Sequence, residues 1–417
     1  MFFIRCWIFA LMLCVWAATP RALTLDEAMD MAEGSLPALK AADNRVGSTD
    51  SLYKASLSPY LPTLDAATSQ EKRKQNSSSL DLSTYDVTLS YTLYDGGRRR
   101  ADRNIARLNR DSEKEERVRT LLDLQFDVKS SFFSTIARRD VLGHRRLQVE
   151  DSRKDLEVAR GRYELGVAKL SDVLQSSVRF EQSKFSLVEA EGELRKSMAQ
   201  LNSLLGRSLE TEYDLVGELE SQVSMPDPER LGRAALQRPE IKQSEYAVEA
   251  ARNLKARQIS EYLPVITANA SYNKSEANRF VSDLEDKAIG IRATWNIFEL
   301  GKFYRTRSAE FDLRVTRDNL DETIRRLLLE LRLAYEDYVT ASRNVDVAEE
   351  QLKQAEHNYA QTFGEYRIGK ADIIALVAAG IALSNAREQH TVSRLSVVLA
   401  RVLIERATGV ERIDLVE

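Results

Sequence analysis

Apolar residues recur along this chain with two periods, and the period switches in the same order twice. From Val87 to Tyr94 they alternate, with Val87, Leu89, Tyr91 and Leu93 on one side and Thr88, Ser90 and Thr92 on the other. A second stretch sets Ile289, Ile291, Ala293, Trp295 and Ile297 against Arg292, Thr294 and Asn296, and a third sets Ile266, Ala268, Ala270 and Tyr272 against Thr267, Asn269 and Ser271. A weaker set, Leu64, Ala66 and Thr68, precedes the first. Period two is the pleat of a β-strand, so two hairpins are expected. Strands of about ten residues with one apolar and one polar face fit a membrane barrel around a wet lumen. On pattern alone they fit a half-buried hairpin of a soluble domain equally well.

After each hairpin the period becomes helical. Ile324, Leu328, Leu331, Tyr335, Tyr338, Val345, Leu352, Tyr359, Phe363 and Tyr366 lie on a 4-3 alternation, with Ala348 and Ala355 beside the interrupting Glu349 and Glu356. That is the seam of a coiled coil. No proline interrupts Arg98 to Leu165, and a helix of that length reaches roughly 100 Å at 1.5 Å per residue. Gly166 and Gly369 mark reversals, with return helices from about Ser171 to Leu205 and Ile373 to Thr408. Shorter helices open each half: Thr24 with Glu27 forms a capping box, Asp227 with Pro228 an N-cap followed by a first-turn proline, and Pro37 and Pro239 break each helix early.

These landmarks repeat. Pro37 matches Pro239 and Tyr60-Leu61-Pro62 matches Tyr262-Leu263-Pro264 at an offset of 202. Tyr94-Asp95-Gly96-Gly97-Arg98 matches Phe298-Glu299-Leu300-Gly301-Lys302 at 204, and Tyr163-Glu164-Leu165-Gly166 matches Tyr366-Arg367-Ile368-Gly369 at 203. The chain therefore divides into a leader, 1–22, a first repeat, 23–206, a linking segment, 207–228, and a second repeat, 229–417. Each repeat reads helix, hairpin, long helix, return helix.

The leader carries Arg5, an apolar core from Cys6 to Ala18 and small residues up to Ala22, the layout of a secretory signal; cleavage after Ala17, Thr19 or Ala22 competes. Both cysteines, Cys6 and Cys14, lie within it, which leaves the exported chain no disulfide and no thiolate metal site. With 60 basic against 64 acidic residues the chain is mildly acidic, which argues against nucleic acid. Beyond the leader the most apolar run, Ala371 to Leu383, contains Asp372 and is too short to span a bilayer as a helix. Any membrane crossing thus falls to β-strands. Four strands cannot close a membrane barrel, whose smallest examples have eight, so several chains must share one.

Leu23-Thr24-Leu25-Asp26-Glu27-Ala28, the two Tyr-Leu-Pro triplets, Tyr94-Asp95-Gly96-Gly97-Arg98, Tyr163-Glu164-Leu165-Gly166 with Asp172-Val173-Leu174, and Leu201-Asn202-Ser203-Leu204-Leu205-Gly206 together resemble the TolC-type outer-membrane efflux channels. The resemblance covers essentially the whole exported chain. It implies a mainly α fold with transmembrane β: long antiparallel coiled-coil hairpins, and four strands per chain that complete a 12-stranded barrel and a helical tunnel as a homotrimer. It also implies an outer-membrane position extending into the periplasm, contact with outer-membrane lipid, and partnership with a periplasmic adaptor and an inner-membrane pump. On this reading the protein is a passive exit duct, with no enzymatic activity, cofactor or metal.

Gly96, Gly97 and Gly301 stand where strand becomes helix, where glycine allows a backbone swing. Arg98, Arg99 and Arg100 mark either the headgroup level or a solvated helix start. Tyr91, Tyr94, Trp295 and Phe298 fall at the same end of both hairpins and read as an aromatic girdle, against core packing. By the resemblance, Gly166, Val167, Gly369 and Lys370 are adaptor-docking tips, and Asp172 and Tyr366 bond neighbouring hairpins into a gate. Ala375 and Ala378 stand where some relatives carry an acidic ring, and Asp372 is either its substitute or a solvated surface residue. His144, His357 and His390 have no ligand-spaced companions and read as surface residues. Neither a nucleophile elbow nor a phosphate loop occurs. The rival reading is a periplasmic coiled-coil adaptor or structural envelope protein, which would share the helices and lack the duplicated hairpins.

Overall fold

The computed structural model describes residues 21–75, 78–219, 225–277 and 284–413; most of the expected leader lies outside them. Contacts group the chain into two units, Met1–Ser35, Asp127–Val223 and Ala341–Leu399 in one, Leu36–Phe126, Ser224–Thr340 and Ala400–Glu417 in the other. Each unit draws on both repeats.

The second unit carries the sheet. Strands β2 (Thr63–Gln75), β3 (Ser78–Tyr94), β5 (Val265–Ala277) and β6 (Leu284–Thr294) pair in the order β2-β3-β5-β6, every neighbour antiparallel. The register carries the alternation across all four strands. Leu64, Leu89, Ala270 and Ile289 form one row, and Thr63, Ser90, Asn269 and Gly290 the next. Because opposed residues of antiparallel strands share a face, one face is apolar in the rows through Leu89 and Tyr91 and gains charge beyond them, with Lys287 in the Val87 row and Lys274 and Glu285 in the Tyr85 row, while the opposite face is mainly polar. On the polar face Asn273 donates to Asp86 at 2.7 Å. The expected strand through Ile297 stops at Thr294 instead. Beyond it polar bonds replace the ladder: the Trp295 indole donates to the Tyr262 carbonyl at 3.0 Å, Asn296 to Glu299 at 3.0 Å, and Lys302 to the Asn296 carbonyl at 2.6 Å.

The entry helices of this unit, α2 (Pro37–Ala55), α5 (Pro228–Ala235) and α6 (Pro239–Ser260), each begin with a proline, which lacks the N–H that would be orphaned there. Asp227 caps α5 as expected, accepting from the Glu229 amide at 3.3 Å.

In the first unit a short parallel pair joins β1 (Arg21–Leu23) to β4 (Tyr213–Leu215). Arg21 and Ala22 of β1 are kept by a cut after Ala17 or Thr19 and removed by a cut after Ala22. Thr24 and Glu27 exchange their bonds at 3.1 and 3.3 Å to start α1 (Leu25–Ser35), the expected capping box. The segment after β4 is pinned by two arginines: Arg139 donates to the Leu215 carbonyl and Arg394 to that of Leu219, each at 2.6 Å. Leu23, Leu201, Leu205, Leu215, Leu219, Phe132 and Ile136 are buried in the core of this unit.

The long elements are α3 (Arg98–Glu164) and α7 (Leu300–Arg367), of 67 and 68 residues, with return helices α4 (Leu170–Leu204) and α8 (Ile373–Thr408). The seam of α7 is displaced from its expected register. Leu331, Tyr338, Val345 and Tyr366 are buried, but their companions are Leu327, Ala334, Ala341 and Ala348, and Leu328 is exposed. Alanine on the seam lets neighbouring helices approach closely, which the bulkier Tyr335 beside Ala334 would prevent.

Candidate functional site: membrane face and helix reversals

The sheet leaves its apolar face uncovered within the chain. Ile289 is 91% exposed and Ile291 72%, with Leu64, Val87, Leu89 and Tyr91 also exposed. An apolar row of this extent marks a surface made to meet lipid or another protein. Tyr91, Tyr94, Trp295 and Phe298 are likewise exposed at the helical end of the strands, so they do not pack into their own chain's core. Ile297, Phe303 and Tyr304 extend this belt; the two rings of the last pair meet edge to face at 5.3 Å. Sequence reading stopped at Phe298 because the alternation ends there.

The two strand-to-helix junctions differ. In the first, Gly96 and Gly97 take φ of 66° and 90°, which side-chained residues resist. A Cβ on Gly96 would also stand 2.8 Å from the Ser260 carbonyl. Asp95 and Arg99 brace this turn: the Arg99 guanidinium bonds Asp95 at 3.0 Å and the carbonyls of Pro59 and Thr92 at 3.0 and 2.7 Å, and lies 5.0 Å from the Tyr60 ring. The headgroup-facing or solvated roles expected of Arg99 therefore give way to a half-buried strut. In the second junction Gly301 is already helical, in the first turn of α7, and uses no positive φ, contrary to expectation. Its lack of a Cβ instead leaves room for Arg305, which bonds Glu299 and Glu261 at 2.9 and 3.0 Å.

At the far ends of the long helices both reversals are built on left-handed glycines, Gly166 with φ 73° and Gly369 with φ 83°. Each closes by the same pair of bonds: Gly166 and Val167 amides to the Tyr163 and Arg162 carbonyls, Gly369 and Lys370 amides to those of Tyr366 and Glu365. This is the Schellman closure of a helix end. Leu165 and Ile368 flank the turns, and with Val167, Leu170 and Ile374 they are exposed. Lys370 is exposed as well.

Tyr366 is 1% exposed, packed with Ala159, Ile373 and Leu376, and its hydroxyl has no hydrogen-bond partner among the described residues. Asp172, half-buried, accepts from the Ser171 hydroxyl at 3.4 Å. The two residues expected to bond across hairpins thus do not do so within one chain. They are electrostatically close all the same: burial pushes the Tyr366 hydroxyl up, the Arg162 charge opposes this, and the Asp172 charge adds to it. Asp372 has a local task, since its carboxylate accepts from the Ala375 amide at 2.7 Å and so caps α8.

A buried polar layer in the same unit escaped sequence reading. On α3, Gln148 accepts from Ser384 at 2.8 Å, Asp151 accepts from Arg387 at 3.1 Å, and Asp155 accepts from the Tyr359 hydroxyl at 2.9 Å. Arg145 donates to Ser384 at 2.9 Å and pairs with Glu388. Ser152 meets Ser183 of α4 at 2.7 Å. Burial holds Asp155 at about 6, partly offset by the Tyr359 hydrogen bond. The histidine expectation is corrected too: His144 is half-buried and bonds Thr391 at 3.1 Å, and His390 is half-buried, leaving His357 exposed. Among the described residues no group of three or more metal-binding side chains gathers, and no helix is long and apolar enough to cross a membrane.

The family model of the outer membrane efflux proteins matches residues 28–207 and again 231–410. The chain belongs to the outer membrane efflux protein family. Among relatives of this chain, CyaE of Bordetella pertussis is 26% identical over 200 residues, which are 46% of this chain and 42% of CyaE. The chain thus spans less than half the length of that relative. The pyoverdine export outer membrane protein OpmQ of Pseudomonas aeruginosa is 23% identical over 94% of this chain and 86% of its own. The crystal structure of the outer membrane protein VceC of Vibrio cholerae superposes with a TM-score of 0.81 at 17% identity, covering 92% of this chain and 96% of VceC. At that identity the likeness is one of fold: the chain shares the helical and stranded architecture of VceC.

Proposed function

We propose that three copies of this chain form a passive exit duct through the outer membrane, a 12-stranded barrel continued by a helical tunnel. The observation that carries this reading is the sheet. Four strands with an uncovered apolar band on one face and a mainly polar reverse suit a wall between lipid and water, and four are too few to close a barrel alone. A periplasmic adaptor or structural coiled coil would have no use for such a face. The exposed apolar residues around Gly166, Val167, Gly369 and Lys370 suit docking to a periplasmic adaptor, and through it to an inner-membrane pump that supplies both cargo and energy. The duct itself does no chemistry. OpmQ is named for pyoverdine export; a wide wet tube selects little, so the cargo of this chain is assigned to its pump. The gate is placed at the reversals, around Tyr366 and Asp172, with Asp372 in a supporting, capping role.

Membrane fractionation followed by native mass measurement in detergent tests the proposal. Recovery in the outer membrane as a trimer is expected. A cytosolic or strictly monomeric protein would overturn it.

A further inference from the structure

The apolar face of the sheet ends in lysines. Its rows run from Tyr91, Ala268 and Ile291 through Leu64, Leu89, Ala270 and Ile289 to the rows that hold Lys287 and then Lys274. Farther along β2, Lys72 and Lys74 stand on the same face. All four lysines of the described strands therefore share the face of Ile289 and Ile291, and none stands on the polar reverse. At the same level the reverse carries Glu71, Asp86 and Asp286, with Arg73 in register on that side. Solubility alone does not sort lysine from aspartate by face.

The depth of these lysines fixes what they meet. The run from Tyr85 to Tyr94 on β3 rises about 23 Å across a membrane, at ~3.4 Å per residue and a tilt of roughly 40°. That is close to the apolar band of a membrane barrel, about 25 Å tall. In the trimeric duct proposed above, on which this inference rests, Tyr85 and Tyr272 then stand at the bilayer edge opposite Tyr94, with Lys274 and Lys287 at headgroup level. The long helices leave from the Tyr94 end, so the lysine end meets the outer leaflet.

Lys274 and Lys287 are diagonal neighbours on β5 and β6, roughly 7 to 8 Å apart at the backbone, a span that two long side chains close around one phosphate. The Lys287 ammonium lies 5.5 Å from the centre of the Tyr272 ring and 3.0 Å from Glu285. Lys274 pairs with Glu276, and Lys72 with Asp81 at 3.7 Å. The Lys287 and Lys72 side chains nevertheless stay 72% and 75% exposed. Exposed pairs of this kind are weak, and a phosphate monoester carries more charge than the carboxylate it displaces. Lys72 and Lys74 stand roughly 10 and 15 Å farther out. That is above the single phosphate of a glycerophospholipid and within the height of a phosphorylated oligosaccharide.

We infer that Lys274 and Lys287 hold a phosphate of a phosphorylated glycolipid in the outer leaflet, whose acyl chains lie along the apolar rows and whose taller headgroup reaches Lys72 and Lys74.

Native mass spectrometry of the trimer in detergent, titrated separately with bisphosphorylated lipid A, dephosphorylated lipid A and phosphatidylglycerol, tests the site. Wild type should bind bisphosphorylated lipid A at least about tenfold more tightly than either other lipid. Replacing both lysines, Lys274→Gln with Lys287→Gln, should weaken that binding about thirtyfold. Lys274→Arg with Lys287→Arg keeps the charge and should bind like wild type. An assembled glutamine variant that binds like wild type overturns the site, as does an arginine variant as weak as the glutamine one. Should the glutamine variant fail to assemble, the three lipids on wild type decide, and phosphatidylglycerol bound as tightly as lipid A overturns the glycolipid assignment. A wild-type trimer that binds none of them overturns the site alone. A wild-type chain that is no trimer, or lies outside the outer membrane, overturns the duct reading and the site with it.

Discussion

The sheet and the polar layer of the helices reverse the usual arrangement in opposite ways. In the sheet, Ile289 and Ile291 point outward into full exposure. Among the helices, Gln148, Ser152, Asp155, Ser183 and Ser384 are buried. Water as the surrounding solvent would disfavour both. The first becomes favourable when the surroundings are hydrocarbon. The second is tolerable because the buried groups bond one another, and a network of this kind fixes which helix faces which. The difference teaches that the strands are specified by the solvent around them and the helices by matching partners.

Substitutions can sharpen that contrast. The largest effect is expected on the apolar face, where Ile289→Arg should cost roughly 2 to 4 kcal/mol of folding into bilayers if the site lies near mid-membrane. Asn269→Arg, in the adjacent row facing the other way, should be nearly neutral. Urea titration of folding into lipid vesicles measures both, and equal costs would remove the basis for a lipid face.

Next in size is the titration of Asp155. Its carboxyl titrates at about 6 in the fold, above the ordinary value of 3.8, so the folded state holds the proton more tightly than the unfolded chain does. The contribution to stability is therefore complete below pH 4 and is lost as pH rises through 6. A shift of this size corresponds to at most about 3 kcal/mol. Asp155→Asn keeps an acceptor for Tyr359 and should flatten the dependence of thermal unfolding between pH 4 and 7. An unaltered pH profile would show that Asp155 is hydrated in solution.

A smaller effect, about 1 kcal/mol, separates the two strand-to-helix junctions. Gly97→Ala must strain a φ of 90°, whereas Gly301→Ala is already helical and needs only the flexible Arg305 to move. Matching losses in the two variants, read from the same urea titration, would contradict the asymmetry.

The architecture was legible because its signals are local. Alternation at Val87 to Tyr94, uninterrupted helical period from Arg98, and the paired glycines at 166 and 369 each depend on neighbours within a few residues. What stayed hidden depends on contacts between residues about 200 apart. Arg162 looked like one of many helix-surface arginines until α7 placed the Tyr366 carbonyl beside it. Asp155 and Tyr359, separated by 204 positions, became a pair in the same way. A 4-3 pattern tolerates a shift of one residue, so it does not separate Leu328 from Leu327, and only their burial in the fold does. Gly301 was grouped with Gly97 by alignment although its backbone is ordinary helix.

Trp295 allows the most direct test that the strands end at a lipid surface, because it is the only tryptophan of the chain once residues 1–22, with Trp7 and Trp16, are removed. It is 57% exposed at the edge of the apolar face. The mature chain reconstituted into vesicles should show strong quenching of Trp295 fluorescence by lipids brominated high on their acyl chains, and weak quenching by aqueous acrylamide. Free quenching by acrylamide with no effect of brominated lipid would contradict the account.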